Sequence, residues 1–139
     1  MVCIYCGSPT AVTNSRLQRQ LNQVWRRRLC NACNSTFTTH EKVDLGGTVA
    51  IKRHAGQLTP FSRDNLFMSI YESCKHRPKA IADAGWLTQT AIAKLRHVIS
   101  EGTLERDAIV STVHTILEHF DKPAATVYAA YHPMDKAQQ

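Results

Sequence analysis

Two cysteine pairs, Cys3-Ile4-Tyr5-Cys6 and Cys30-Asn31-Ala32-Cys33, lie 23 residues apart and limit what this chain can fold into more than any other feature. Cys-x2-Cys turns at such a distance are the layout in which two knuckles close on one tetrahedral metal ion. Small residues follow each pair, Gly7-Ser8-Pro9 and Asn34-Ser35, and let the chain turn so that backbone N–H groups point back at sulfur. About forty residues bury too little apolar surface to fold unaided, so a staple is expected there. Four cysteines close the coordination sphere without room for water, which favours a structural site with one Zn2+ per chain over a catalytic one. A redox role for either pair stays open, although no strand–helix pattern surrounds it. The fifth cysteine, Cys74, follows Leu66, Phe67, Ile70 and Tyr71 at helical spacing and reads as a small core hydrophobe.

Charge is concentrated around the same pairs. Residues 1–42 carry six Lys or Arg against one acid and residues 43–139 carry eleven against ten, so the formal +6 divides as +5 and +1. Four thiolates on a divalent ion contribute about −2, which still leaves the N-terminal module at about +3. Such a module suits a polyanion; a solvated basic face is the bland alternative. Gln23-Val24-Trp25-Arg26-Arg27-Arg28-Leu29 has strand-forming content, and strand alternation puts Arg26 and Arg28 on one face with Arg27 opposite. Arginine forks match phosphates and guanine edges, so Arg26 and Arg28 are the expected nucleic-acid contacts, with Arg16 and Arg19 on a preceding loop adding phosphate contacts. Trp25 and Trp86 are read as packing residues rather than base-stacking platforms. The histidines are dispersed, and only His40, seven positions after Cys33, is admitted as an alternative ligand.

Beyond residue 42 the pattern is α+β and mostly helical. Residues 43–47 read as a linker or turn, 48–53 as a strand, His54-Ala55-Gly56 as a turn and 57–59 as the returning strand. Helices are predicted over 63–76, before Pro78, and over about 86–100, with Leu87, Ile92, Leu95, Val98 and Ile99 inward and Gly102 as a stop. Thr103 is expected to cap a third helix whose stripe runs from Ile109 to Phe120, and Asp121-Lys122-Pro123 to open a fourth through about Tyr131. The chain contains no run of eighteen apolar residues, and MVCIYCGSPT lacks the basic and apolar regions of a signal peptide, so a cytoplasmic protein with no membrane partner is expected.

In order, Cys-x2-Cys, Asn14-Ser15-Arg16, Arg26-Arg27-Arg28-x-Cys30-x2-Cys33, Phe37-Thr38-Thr39-x-Glu41, Val49-x-Ile51-Lys52-Arg53, Pro60-Phe61 and Lys75-x-Arg77-Pro78 resemble the NrdR-type ribonucleotide reductase repressors. These join a small N-terminal zinc ribbon to an ATP-cone, a mostly helical domain with a β-hairpin. The resemblance implies a ribbon over 1–42, a linker over 43–47, a cone for nucleotide binding and oligomerisation over 48–133 and a flexible tail over 134–139. It implies Cys3, Cys6, Cys30 and Cys33 as zinc ligands, and Arg16, Arg26, Arg27 and Arg28 as the segment facing double-stranded operator DNA. In the cone it implies nucleotide contacts from Val49, Ile51, Lys52 and Arg53 on the strand, Asn65 and Leu66 on the first helix, and Lys75 and Arg77 beyond it. ATP and dATP, accompanied by Mg2+, would then set homo-oligomeric state and, through it, repression of ribonucleotide reductase genes.

The chain departs from that family at Asn65, where a lysine is usual, in a turn one residue longer after Arg53, and in Val127-Tyr128-Ala129-Ala130-Tyr131, which lacks the usual arginine and serine. These changes bear on nucleotide number and on the preference between ATP and dATP. No Gly-x4-Gly-Lys-Ser/Thr loop is present, and no paired carboxylates accompany Lys52-Arg53, so a triphosphate would be held rather than hydrolysed and no enzyme is expected. Three function classes fit the sequence: the nucleotide-responsive repressor, a zinc-ribbon interaction module that senses no nucleotide, and a zinc enzyme or thiol oxidoreductase.

Overall fold

Thr10–Gln18 (β1) and Gln23–Cys30 (β2) pair antiparallel in the computed structural model, which describes residues 1–53 and 56–134. Their hairpin closes through a 3-10 turn at Arg19–Leu21 and Asn22, whose left-handed backbone (φ 48°) is a conformation asparagine tolerates. Thr36–Lys42 (β3) adds on the other side of β2, giving a three-stranded sheet ordered β1-β2-β3. β1 was not visible in the pattern: its side chains are almost all exposed, so it has no apolar alternation to read. Arg16 accordingly lies in a strand rather than a loop, while Arg19 is in the turn. Thr13 bulges between Val12 and Asn14 and its hydroxyl donates to the Arg27 carbonyl at 3.3 Å.

The chain divides into two compact units, Met1–Asp44 and Leu45–Gln139. In the second, Leu45–Thr48 forms one helical turn (α1) within the stretch read as linker and strand. Ala50–Lys52 (β4) then pairs antiparallel with Leu58–Pro60 (β5) and parallel with Thr103–Glu105 (β6), in the order β5-β4-β6. Of the predicted turn, His54 and Ala55 lie outside the described residues, as do residues 135–139 of the predicted tail. β6 corrects the expectation that Thr103 caps a helix: its backbone bridges to Ser100 and continues as a strand beside β4. Three residues of strand carry too short a pattern to be seen without their partner.

Four helices complete this unit: Arg63–Cys74 (α2), Ala80–Leu95 (α3), Arg106–Phe120 (α4) and Lys122–Tyr131 (α5). Ser62 caps α2, its hydroxyl accepting from Asn65 N–H at 3.1 Å, and Asp121 caps α5, accepting from Ala124 N–H at 2.9 Å. α3 begins six residues earlier than predicted and ends before Gly102, because its buried face is made of small residues. Ala80, Ala84, Leu87, Thr88, Ala91 and Leu95 carry that face. Val98, expected inside, lies past the helix end and is 52% exposed. Trp86, expected to pack, stands on the opposite side of α3 at 71% exposure. The α4 stripe is buried from Ile109 to Leu117, but Phe120 is 41% exposed and carries the Arg77 guanidinium over its ring at 4.4 Å. Ile70, Cys74, Leu104, Val113, Leu117 and Tyr128 form the centre of the core, as expected for Cys74.

Candidate functional site

Four thiols converge in the N-terminal unit. The sulfurs of Cys3, Cys6, Cys30 and Cys33 all lie within 4.8 Å of one another, with Cys3–Cys33 at 3.7 Å and Cys6–Cys30 at 3.5 Å. A tetrahedral ZnS4 centre with Zn–S near 2.3 Å separates its sulfurs by about 3.8 Å, so the four cysteines are positioned to bind one zinc ion. The two knuckles repeat one another: Gly7 N–H donates to the Cys3 carbonyl at 3.0 Å and Asn34 N–H to the Cys30 carbonyl at 2.9 Å. Gly7 (φ 76°) and Asn34 (φ 56°) both take the left-handed conformation that this turn requires. Tyr5 N–H points at the Cys3 sulfur at 3.4 Å. The Ser8 backbone N–H and hydroxyl lower the Cys6 thiol, and the Ser35 hydroxyl and backbone N–H bring Cys33 down to about 6. Both serines thus favour the thiolate that a metal needs. His40 is exposed, stands opposite Trp25 in the β2–β3 register and lies outside this cluster.

The register divides the four arginines between the sheet's two faces. Arg16 pairs with Trp25, and Asn14 and Thr38 pair with Arg27, on one face. Arg26 and Arg28 lie opposite Thr39 and Phe37 on the other, as alternation predicts. Every guanidinium has a partner: Arg26 with Glu41 at 2.8 Å, Arg27 with the Thr36 and Thr38 hydroxyls at 2.7 and 3.4 Å, Arg28 with the Thr39 hydroxyl at 3.2 Å, and Arg16 over the Trp25 ring at 5.9 Å.

In the helical unit a cleft of about 440 Å³ opens between the small sheet, the first turns of α2 and α4, and the end of α5. Ile51, Arg53, Asn65 and Leu66 line it. The other expected contacts do not. Val49 is buried in the core, Lys52 pairs with Glu105 at 3.0 Å across β4 and β6, and Lys75 pairs with Glu72 and sits over the Tyr71 ring. Arg77 bonds Asp83 at 2.7 Å and Asp121 at 2.6 Å, tying the end of α2 to α3 and to the cap of α5.

The family model described as "Transcriptional repressor NrdR-like, N-terminal domain" matches residues 1–41. A Rhodopseudomonas palustris protein named "Transcriptional repressor NrdR" is 34% identical over 133 residues, covering 94% of this chain and 79% of that relative. The chain belongs to the NrdR family of transcriptional repressors. A relative of the same name from Dechloromonas aromatica is 32% identical over 143 residues, covering 97% of this chain and 90% of its own length. A third, from Rhodospirillum rubrum, is 44% identical over 79 residues, and there the match spans about half of the relative, 51%. Family membership agrees with the resemblance carried by the cysteine and arginine motifs, and with a regulatory rather than enzymatic role. Among the described residues, no helix is long and apolar enough to cross a membrane.

The cleft also contains residues that sequence reasoning missed in this NrdR-family chain: Ser69, Arg106, Tyr128 and His132. The Ser69 hydroxyl and His132 Nε2 lie 2.6 Å apart, and the Tyr128 and His132 rings are 4.4 Å apart. Burial pushes the Tyr128 hydroxyl up to about 12, and burial, then the charge of Arg106, lowers His132, so both are neutral near pH 7. A signal for Arg106 was present, since a cation at the first position of a helix opposes the macrodipole and asks for another reason to be there. His132 follows Tyr128 by four residues, the spacing that places both on one side of a helix end.

Proposed function

We propose that this chain is a zinc-dependent transcriptional repressor of ribonucleotide reductase genes. Its basic zinc ribbon, residues 1–42, binds double-stranded operator DNA, and an ATP-cone over 48–133, reached through 43–47, binds ATP or dATP with Mg2+. The bound nucleotide sets the homo-oligomeric state, and that state sets operator affinity in the cytoplasm. The observation that carries this reading is the pairing, in one NrdR-family chain, of a four-cysteine ribbon rich in arginine with a cleft that holds two more, Arg53 and Arg106. The cleft volume falls within the 300–1,000 Å³ typical of small-ligand sites, roughly the span a nucleotide needs.

Apolar Ile51, Phe61, Leu66 and Val110 offer walls for a base, while Arg53, Arg106 and the N-terminal end of α2 offer positive ends for phosphates. The sequence has no Gly-x4-Gly-Lys-Ser/Thr loop and no paired carboxylates beside Lys52-Arg53, so the bound nucleotide acts as an effector. A second reading, the interaction module without nucleotide sensing, is favoured by one observation: Asn65 replaces the usual lysine while Lys52, Lys75 and Arg77 are engaged in ion pairs away from the cleft. Light scattering on the zinc-loaded protein decides between them. A mass that changes on adding ATP, dATP or both supports the repressor with a working sensor; a mass unmoved by any nucleotide moves the interaction module to the front.

A further inference from the structure

Resting on the operator-binding reading, we infer that duplex DNA docks on one face only of the ribbon sheet, the face of Asn14, Arg16, Trp25 and Arg27, and that Arg26 and Arg28 brace the fold from the other side. Three observations separate the faces. The first is charge. Glu41 is the one acidic residue within β1, β2 and β3, and it lies on the Arg26 face, where its carboxylate neutralises Arg26 at 2.8 Å. The Arg27 face carries Arg16, Arg27 and, at the end of β3, Lys42 opposite Gln23, with no carboxylate among its strand residues. A duplex approaching that side meets uncompensated positive charge.

The second is exposure. Cys30 and Phe37 share the Arg26 and Arg28 face by register and are buried with Cys3 in the small core that includes two of the four thiols. Arg26 and Arg28 are half-buried, whereas Arg27 is exposed. The third is preorganisation. Two threonine hydroxyls on β3 hold the Arg27 fork by Nη1 and Nη2, leaving further N–H groups of the same fork for a ligand, and the Trp25 ring holds the Arg16 guanidinium. A side chain already fixed loses less entropy on binding. The major groove admits a two-stranded antiparallel ribbon, as β1 and β2 form here, and there arginine forks take guanine O6 and N7 or flanking phosphates while an aromatic ring offers apolar contact to a thymine methyl.

The test is fluorescence anisotropy of a labelled duplex from upstream of the host's own ribonucleotide reductase genes, titrated with the full-length, zinc-loaded chain over a salt series, in the nucleotide state that binds tightest. Arg16→Gln/Arg27→Gln should weaken binding about tenfold or more and flatten the log–log salt slope by about two units, since each lost phosphate contact removes about 0.9. Arg26→Gln/Glu41→Gln removes the ion pair without changing net charge and should leave affinity within about twofold, with zinc content and circular dichroism confirming the fold. Trp25→Leu, which removes the ring beneath Arg16, should weaken binding with an unchanged zinc content. The assignment is overturned if the Arg26/Glu41 variant, with zinc retained, loses as much affinity as the Arg16/Arg27 variant, or if the latter keeps the full salt slope. Displacement of the duplex by an equal charge concentration of polyglutamate would overturn duplex DNA as the occupant. An unmutated chain that binds no duplex in any nucleotide state would overturn the operator-binding reading itself, an outcome distinct from a wrong ranking of variants.

Discussion

Chelating the metal should unfold Met1–Asp44 while the helical unit stays folded. The buried hydrophobics of the ribbon are Cys3, Cys30 and Phe37, and two of these three belong to the four-thiol cluster positioned to bind zinc. That leaves Phe37, 8% exposed, whose burial contributes about 1.5–3 kcal/mol. Against it stands the conformational entropy lost in ordering three strands, Thr10–Gln18, Gln23–Cys30 and Thr36–Lys42, which one buried ring does not offset. Structural zinc supplies about 10–16 kcal/mol at neutral pH, as much as the whole net stability of an ordinary domain, so the ribbon without it has no folded state to occupy. The sequence provides one reporter in each unit, Trp25 on β2 and Trp86 on α3. In a heteronuclear spectrum, chelation with release of one zinc per chain should collapse the Trp25 indole resonance toward its random-coil position and leave that of Trp86 in place. Cys30→Ser should reproduce the collapse, and Cys74→Ser should keep the full zinc content. A dispersed Trp25 resonance after stoichiometric zinc release would show the opposite, that the sheet folds on its own apolar burial.

Other predictions concern the helical unit. Asp121→Asn keeps a competent cap on α5 and should cost about 1 kcal/mol less than Asp121→Ala in denaturant melts. The Ala124 N–H, then Arg77 and His76, hold the Asp121 carboxyl below its usual range, so its contribution is full above the ordinary value of 3.8 and is lost as pH falls through its lower folded value. His132 runs the other way from a salt-bridged histidine: burial and then Arg106 lower it, so the unfolded chain binds the proton first. Stability should fall as pH drops below the ordinary 6.5 and flatten in His132→Gln. Saturating ATP at about a hundred times its dissociation constant should stabilise the unit by about 2.7 kcal/mol. Calorimetry should find that gain lost in Arg53→Gln or Arg106→Gln and kept in Lys75→Gln, since Lys75 lies outside the cleft. Trp86→Gln should change stability by no more than about 0.5 kcal/mol.

What was legible in the sequence follows the range of the forces involved. The thiol cluster could be read because metal ligation fixes residue type and spacing together, and the turns at Gly7 and Asn34 follow from that spacing. The alternation of Arg26, Arg27 and Arg28 is local strand geometry, and the register agrees with it. β1 and β6 were not legible. One is a polar strand on the sheet's exposed side and the other is three residues long, so both are defined by partners distant in sequence. The start of α3 was missed because alanines at positions 80, 84 and 91 pack closely without looking like a core stripe. Within the cleft, β4 and the start of α2 could be anticipated, whereas Arg106 and His132 arrive from helices more than forty residues away. Lys75 and Arg77 show the converse: basic residues in the expected segment engage carboxylates of their own unit instead.

Nucleotide control of DNA binding is what the proposed function requires above all. It is tested most directly by titrating the zinc-loaded chain into labelled duplex from upstream of the host's own ribonucleotide reductase genes, without nucleotide, with ATP and with dATP. Affinities should differ between nucleotide states by about fivefold or more, the lower end of ordinary allosteric coupling. Superimposable isotherms in all three conditions would contradict it.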